Sequence, residues 1–347
     1  MNRKYLTIAS IIVFTAIAVQ VISCKKNDST TVPEAITLAI PAGFPPPQYN
    51  FSNNPLTKQG FELGRKLFYD GRLSKDGNFP CASCHQQFSA FITYDHDFSH
   101  GFNNQFTTRN ALPIFNLAWQ TAFQWDGGVN NLELQPLAPL TATNEMAEDI
   151  NTVINKLKAD NLYPGMFKAA FGNSEINSQL MLKAMAQFMV MMVSADSKYD
   201  RVKKGTASFT AEETSGYNTF KAKCAACHTE PLFTDLSYRN NGLEANSFLN
   251  DYGRMRITGK NTDSLKFKVP SLRNTALTFP YMHDGRLYTF DQVLNHYTTG
   301  IVQSPTLDPL LKNGIALNST ERVNLKAFLR TLTDSAFIKD PRFAQPR

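Results

Sequence analysis

The chain has 347 residues, 42% hydrophobic and 18% charged, which is enough for two domains that each bury a core. Its formal net charge of +6 is not concentrated in any long run of Lys and Arg. That gives no nucleic-acid surface and leaves an acidic protein partner or an anionic membrane as what the balance favours.

Arg3 and Lys4 precede an apolar run from Ile8 to Val19, extended by Val21 and Ile22. The run is shorter than the roughly 20 residues that span a bilayer, so residues 1–23 read as a signal peptide. The run ends Val21-Ile22-Ser23-Cys24, which resembles a bacterial lipobox. On that resemblance Cys24 becomes the lipidated first residue, anchoring the mature chain to a membrane in the periplasm. The alternative is a plain secretory signal with an incidental Cys. Residues 24–40 begin polar, as a tether would.

Pro41-Ala-Gly-Phe-Pro-Pro-Pro47 cannot be helix and is expected extended at the surface. Thr57 caps a predicted helix carrying Phe61, Leu63, Leu67 and Phe68, shortly before Cys81-Ala-Ser-Cys84-His85. A helix is predicted over 145–158, with Met146, Ile150, Val153, Ile154 and Leu157 on one face. Another is predicted over 175–193, whose Met181, Met185, Met189, Met191 and Met192 read as core filler. Residues 194–208, rich in Lys and Asp, read as a linker between domains 41–200 and 201–347. Thr210-Ala-Glu-Glu213 is a capping box opening a helix toward Cys224-Ala-Ala-Cys227-His228. Thr289 opens a helix to Tyr297 with a Thr-x-x-Gln box, and 320–332 closes the chain. A helix leading twice into C-x-x-C-H is a weak internal repeat. With few strand patterns, the fold class is mainly α, with two cytochrome c-like haem domains.

C-x-x-C-H is the attachment motif for c-type haem: two thiols add to the porphyrin vinyl groups, and the adjacent His becomes an axial ligand. Cys81, Cys84 and His85 would hold one haem, Cys224, Cys227 and His228 the other. A zinc half-site is the competing use of one such motif. Two motifs in an exported chain, with Cys24 the only other cysteine, favour haem. The remaining histidines are His96, His100, His283 and His296, and a lone His is more often surface or satisfied than a ligand.

Matching stretches run in order from Leu63-Gly-Arg-Lys-Leu-Phe-Tyr-Asp70 through the first haem motif, His100-Gly, Arg109-Asn110, Trp125-Asp-Gly127, Gln135 and Glu145-Met146. They continue through the second haem motif, Pro270-Ser-Leu-Arg-Asn274 and Pro280-Tyr-Met-His-Asp-Gly285. In these the chain resembles the bacterial di-haem cytochrome c peroxidases, a family that includes the tryptophylquinone-maturing enzyme of methylamine dehydrogenase. The resemblance implies that the N-terminal haem is peroxidatic and the C-terminal one transfers electrons. Gln135 and Glu145 match the pair beside the reactive iron, and a carboxylate there can move protons as base and acid. Glu145 also reads simply as a first-turn helix residue favoured by the macrodipole. His100 matches a ligand that leaves the iron on activation, or is a loop His. Trp125 matches a residue between the haems that relays electrons, or is a core Trp before an Asp-Gly turn. Asn110, Thr278 and Pro280 match ligands of a calcium ion between the domains, although Asn110 would equally cap a turn. Where most of the peroxidases carry a Met ligand to the second iron, this chain has Tyr297, with His296 as the neighbouring alternative.

The implied activity is reduction of hydrogen peroxide with electrons from a small cytochrome or cupredoxin. Two alternatives stand beside it: an oxidase that modifies a partner protein's side chains, and a non-enzymatic electron carrier, which would have no use for Gln135 and Glu145. The resemblance also implies a possible homodimer.

Overall fold

Residues 34–36, inside the expected tether, are tied to the start of the first helix. Ile36 N–H donates to the Leu56 carbonyl and Lys58 N–H to that of Glu34. The computed structural model describes residues 32–172 and 175–346. The expected signal peptide and Cys24 lie outside the described residues. The proline segment is held by Trp119, whose indole donates to the Pro45 carbonyl at 2.7 Å.

The first half contains α1 (Lys58–Phe68), α2 (Ile150–Ala159), α3 (Tyr163–Phe171) and α4 (Ser178–Val190). Thr57 caps α1, its side chain accepting from Gly60 N–H. After α5 (Lys198–Lys203) the second half contains α6 (Ala211–Lys223), α7 (Phe290–Thr299) and α8 (Ser319–Arg330). The Thr210 and Thr289 capping boxes are both made. Among the described residues the sheet is a pair of two-residue strands, β1 (Tyr238–Arg239) and β2 (Phe267–Lys268), antiparallel with Tyr238 opposite Lys268. The fold is mainly α.

Each half is built on one close helix crossing at a glycine. A Cβ on Gly64 of α1 would lie 2.0 Å from the Ala184 carbonyl oxygen and 2.9 Å from Phe188 Cβ of α4. A Cβ on Gly216 of α6 would lie 1.9 Å from the Asn324 carbonyl oxygen and 2.9 Å from Phe328 Cβ of α8. In both crossings the glycine meets a carbonyl and then a Phe four residues on, so the internal repeat extends from sequence to packing. Met181, Met185, Met189 and Met192 are buried in or beside α4 as core.

Three expectations are corrected. The helix expected from residue 145 starts at Ile150, because Asp149 accepts from Asn151 and Thr152 N–H and so caps it. Glu145 precedes it, in a turn with Ala147 at φ 55°. Residues 194–208 are not an open linker: Ser197 and Asp200 form a capping box for α5, and Tyr199 and Asp200 are buried. Arg273, fully buried, clamps Asp200 with two bonds of 2.8 and 2.9 Å. Finally, the last residues do not stay with the second half. Phe337 and Phe343 complete a cluster with Phe61, Phe68, Phe91, Phe115 and Phe188 of the first.

Candidate active site

Pro80 leads into a single helical turn, Cys81–Cys84, that presents both thiols on one short arc. His85 follows, and its Nδ1–H donates to the Phe91 carbonyl at 2.8 Å. That bond fixes the tautomer and leaves Nε2 as the lone-pair donor for iron. Ala90 and Phe91, at φ 54° and 63°, make the turn that aims the carbonyl. Burial pushes the His85 pKa down to about 4, so the imidazole is neutral and able to ligate at physiological pH.

His85 and Cys84 line a cavity of about 360 Å³ together with Gln135, Pro139, Glu145 and Met189. A smaller lobe of about 80 Å³ adds Cys81, Phe79, Pro80 and Met146. The segment from Gln135 to Glu145 doubles back through a short helix (Leu137–Thr141), and Met146 N–H donates to the Pro139 carbonyl at 3.1 Å. Both ends of the segment therefore face the cavity. Gln135 Oε1 is buried with no hydrogen-bond partner. Burial pushes the Glu145 carboxyl above the usual carboxylate range, and it has no ion-pair partner among the described residues. Apolar walls, a neutral His, two thiols on one arc and an unsatisfied acceptor fit a covalently held haem with a small polar ligand beside it.

His100 reaches the edge of this lobe but is exposed, its ring 4.6 Å from Phe106 and 5.4 Å from His96. Trp125 is buried between the halves. Its indole donates to the Asn110 carbonyl at 2.8 Å, and its own carbonyl accepts from Lys268 N–H at 2.7 Å. Next to it Arg109 bridges Asp126 of the first half, at 2.6 Å, and Asp251 of the second, also at 2.6 Å. Asn110 Nδ2 donates to the carbonyls of His96 and Asp97, while Asn110 N–H donates to His283 O at 2.8 Å. This joins the Asn110 segment to the one containing Thr278 and Pro280.

The second motif sits at the end of α6. His228 Nδ1 lies 3.2 Å from the carbonyls of both Phe233 and Pro270. Burial lowers its pKa. Tyr297, on α7, is close enough to Cys227 and Cys224 to feel both thiols. Burial pushes its pKa up to about 12, against the lowering influence of the nearby Asn241 side chain. His296 commits Nε2–H to the Asn241 carbonyl at 3.0 Å, which makes it the less available of the two. The two motifs belong to separate cores, Cys81 with the first and Cys224 with the second, so they do not combine into one zinc site.

Several site residues were not foreseen. Met282 accepts from Asn241 Nδ2 at 3.3 Å, which brings its thioether to the residue that also influences Tyr297. Pro139 was also missed, although a repeat marks it. The turns Phe123–Val129 and Tyr281–Leu287 are matching hairpins, each with a positive-φ second residue and an Asp-Gly. Counting thirteen residues on from Asp126 and Asp284 reaches Pro139 and Tyr297 respectively. A proline ring offers iron no donor atom where the second half offers a phenol.

The di-haem cytochrome c peroxidase family profile matches residues 58–208. The methylamine utilization protein MauG of Methylorubrum extorquens is 39% identical over 288 residues, covering 80% of this chain and 79% of that protein. The cytochrome c551 peroxidase of Nitrosomonas europaea is 34% identical over 276 residues, covering 78% and 79%. A solved MauG-like protein associated with microbial copper homeostasis superposes with a TM-score of 0.81 at 34% identity, covering 90% of this chain and 99% of that one. The electron-carrier alternative gives way to an enzyme: this chain belongs to the di-haem cytochrome c peroxidase family and is an oxidoreductase with two c-type haems.

Proposed function

We propose that the first cavity is where hydrogen peroxide is reduced, with Gln135 and Glu145 as the groups that bind it and move its protons. The overall change is H2O2 + 2 H+ + 2 e− → 2 H2O, the electrons coming from a small cytochrome or cupredoxin. Bound haem supplies the redox-active iron at His85 and, at His228, the entry point for electrons. The observation that carries the reading is the buried, unpartnered Gln135 Oε1 in the same cavity as Glu145. A peroxide O–H can donate to that oxygen and so be oriented. The Glu145 carboxylate can take a proton from one peroxide oxygen and deliver one to the other, which leaves as water. The apolar wall of Ile114, Pro139 and Met189 limits bulk water around the carboxyl. Trp125 lies at the junction of the halves, where an aromatic ring is suited to relay electrons, and His100 stands at the rim as a removable ligand.

The test is stoichiometric turnover. Peroxide added to holoprotein with excess reduced donor should oxidise two donor equivalents per peroxide. Donor oxidation no faster than with free haem c would overturn the reading. A second reading, an oxidase acting on a partner protein's side chains, draws support from Tyr297. A phenolate ligand would stabilise highly oxidised states better than a thioether. Oxidised partner side chains, with little donor consumption, would favour it.

The lipobox-like Val21-Ile22-Ser23-Cys24 supports a periplasmic enzyme anchored by lipid on Cys24. Cys24→Ser should shift it to the soluble periplasmic fraction or block processing. An unmodified Cys24 by intact mass would defeat the anchor. Asn110, Thr278 and the Pro280 carbonyl would hold one calcium ion, to be checked by metal analysis after dialysis against chelator.

A further inference from the structure

Lys268 is only 5% exposed, an environment in which lysine is rarely found without a counter-ion. Its ammonium donates to Gln120 Oε1 at 2.5 Å and to the Ala122 carbonyl at 2.9 Å. Both partners are neutral, and among the described residues no carboxylate lies within ion-pair distance. Nearby Asp126 is already occupied: Arg109 donates to Oδ2 at 2.6 Å and Gly128 N–H to Oδ1 at 2.9 Å. One ammonium hydrogen is left without a partner, and Lys268 lines the first haem cavity.

The cavity is polarised. Cys84, His85 and Glu145 line both the main cavity and the smaller lobe around Cys81. Lys268, Arg109, Asp126 and Arg256 line only the main cavity. A c-type haem is attached through the vinyl groups of two pyrrole rings, and its two propionates hang from the other two, on the opposite edge. Attachment at Cys81 and Cys84 therefore directs the carboxylates away from the cysteine lobe and toward the charged one.

We propose that Lys268 is the counter-ion of a propionate of the first haem, a charge supplied by the second half of the chain to a cofactor attached to the first. Burial lowers the lysine's pKa to about 8, which still leaves it cationic at neutral pH. Arg256 is a poorer candidate, being half-exposed and 3.8 Å from Asp251. The lysine's own segment also touches the other haem site, since the carbonyl of Pro270, two residues on, accepts from His228 Nδ1. A cation beside the first porphyrin disfavours its ferric state and so raises its potential.

The experiment is a spectroscopic redox titration of both haems in holoprotein, at several pH values, for wild type, Lys268→Gln and Lys268→Arg. In Lys268→Gln the first haem should become harder to reduce by at least about tenfold, or about 59 mV for one electron. Its potential should also gain a dependence on pH as the freed propionate titrates. Lys268→Arg should stay near wild type, and the second haem should move much less than the first. An unchanged first-haem potential in Lys268→Gln, or an equal fall in Lys268→Arg, would overturn the assignment. Should Lys268→Gln fail to load haem, resonance Raman on wild type decides: propionate bending modes that shift between pH 5 and 7, where the lysine stays cationic, would also overturn it.

Discussion

Lys268 N–H donates to the Trp125 carbonyl at 2.7 Å, while the Trp125 indole donates to Asn110 O at 2.8 Å. Trp125 is thus fixed at backbone and side chain by different segments, one from each half. Trp125→Phe leaves the Asn110 carbonyl short of a donor in a buried site and should cost about 1–3 kcal/mol of stability. Haem loading should survive. In stopped flow, peroxide should still react at the first haem while oxidation of the second slows. Unchanged inter-haem kinetics would remove Trp125 from the relay.

Glu145→Gln should keep both haems and lose about a hundredfold to ten-thousandfold in peroxide turnover, as for removal of a positioned acid–base group. Burial raises the Glu145 pKa, so its base form is lost as pH falls below a value higher than that of a free carboxylate. The acid limb of kcat/KM in wild type should therefore lie above the ordinary carboxylate range and disappear in the variant. A limb that persists belongs to another group.

The two haem motifs and the three Thr caps were legible because each is a local pattern of a few residues. The false start of the 145–158 helix came from the same locality. Glu145 suits a first turn, but Asp149 is the better cap, and the positive φ of Ala147 breaks the path between them. In 194–208 a signal was present and outweighed: Ser197-Lys-Tyr-Asp200 has the spacing of a capping box amid charges that suggested solvent. Lys268 and the Gln135 acceptor were not legible as a buried cation and an unsatisfied oxygen. Their meaning depends on partners far away in sequence, or on the lack of them.

Asp200 carries both the α5 capping box and the clamp from fully buried Arg273. Removing one member of such a pair strands the other, so Asp200→Asn should cost about 3–5 kcal/mol. The bonds from Arg273 and Ser197 hold the Asp200 pKa below its ordinary value despite burial. Its contribution is therefore complete above the unfolded pKa near 4 and is lost as pH falls through the lower folded value. Chemical denaturation of wild type should weaken across that acid window, and the Asn variant should show a shallower decline.

Tyr297 is proposed as the sixth ligand of the iron at His228, and its neighbours sharpen the test. Its phenol feels the thiols of the second motif and the Asn241 side chain, while His296 is held by the Asn241 carbonyl. With burial pushing the phenol to about 12, only a strong positive charge can bind it as phenolate at neutral pH, and ferric iron supplies one. Phenolate is hard and anionic and favours ferric iron, whereas Met/His ligation raises the potential. Tyr297→Met should therefore raise the second haem's potential and give a Met/His spectrum, while the first haem stays unchanged. Tyr297→Phe should leave the second iron open or recruit a neighbour. Met282 is already held by Asn241 and His296 is otherwise engaged, so a thioether-type spectrum there would name Met282 as the substitute. If neither substitution alters that haem's spectrum or potential, Tyr297 only packs beside the porphyrin, and the side-chain-oxidase reading loses its support.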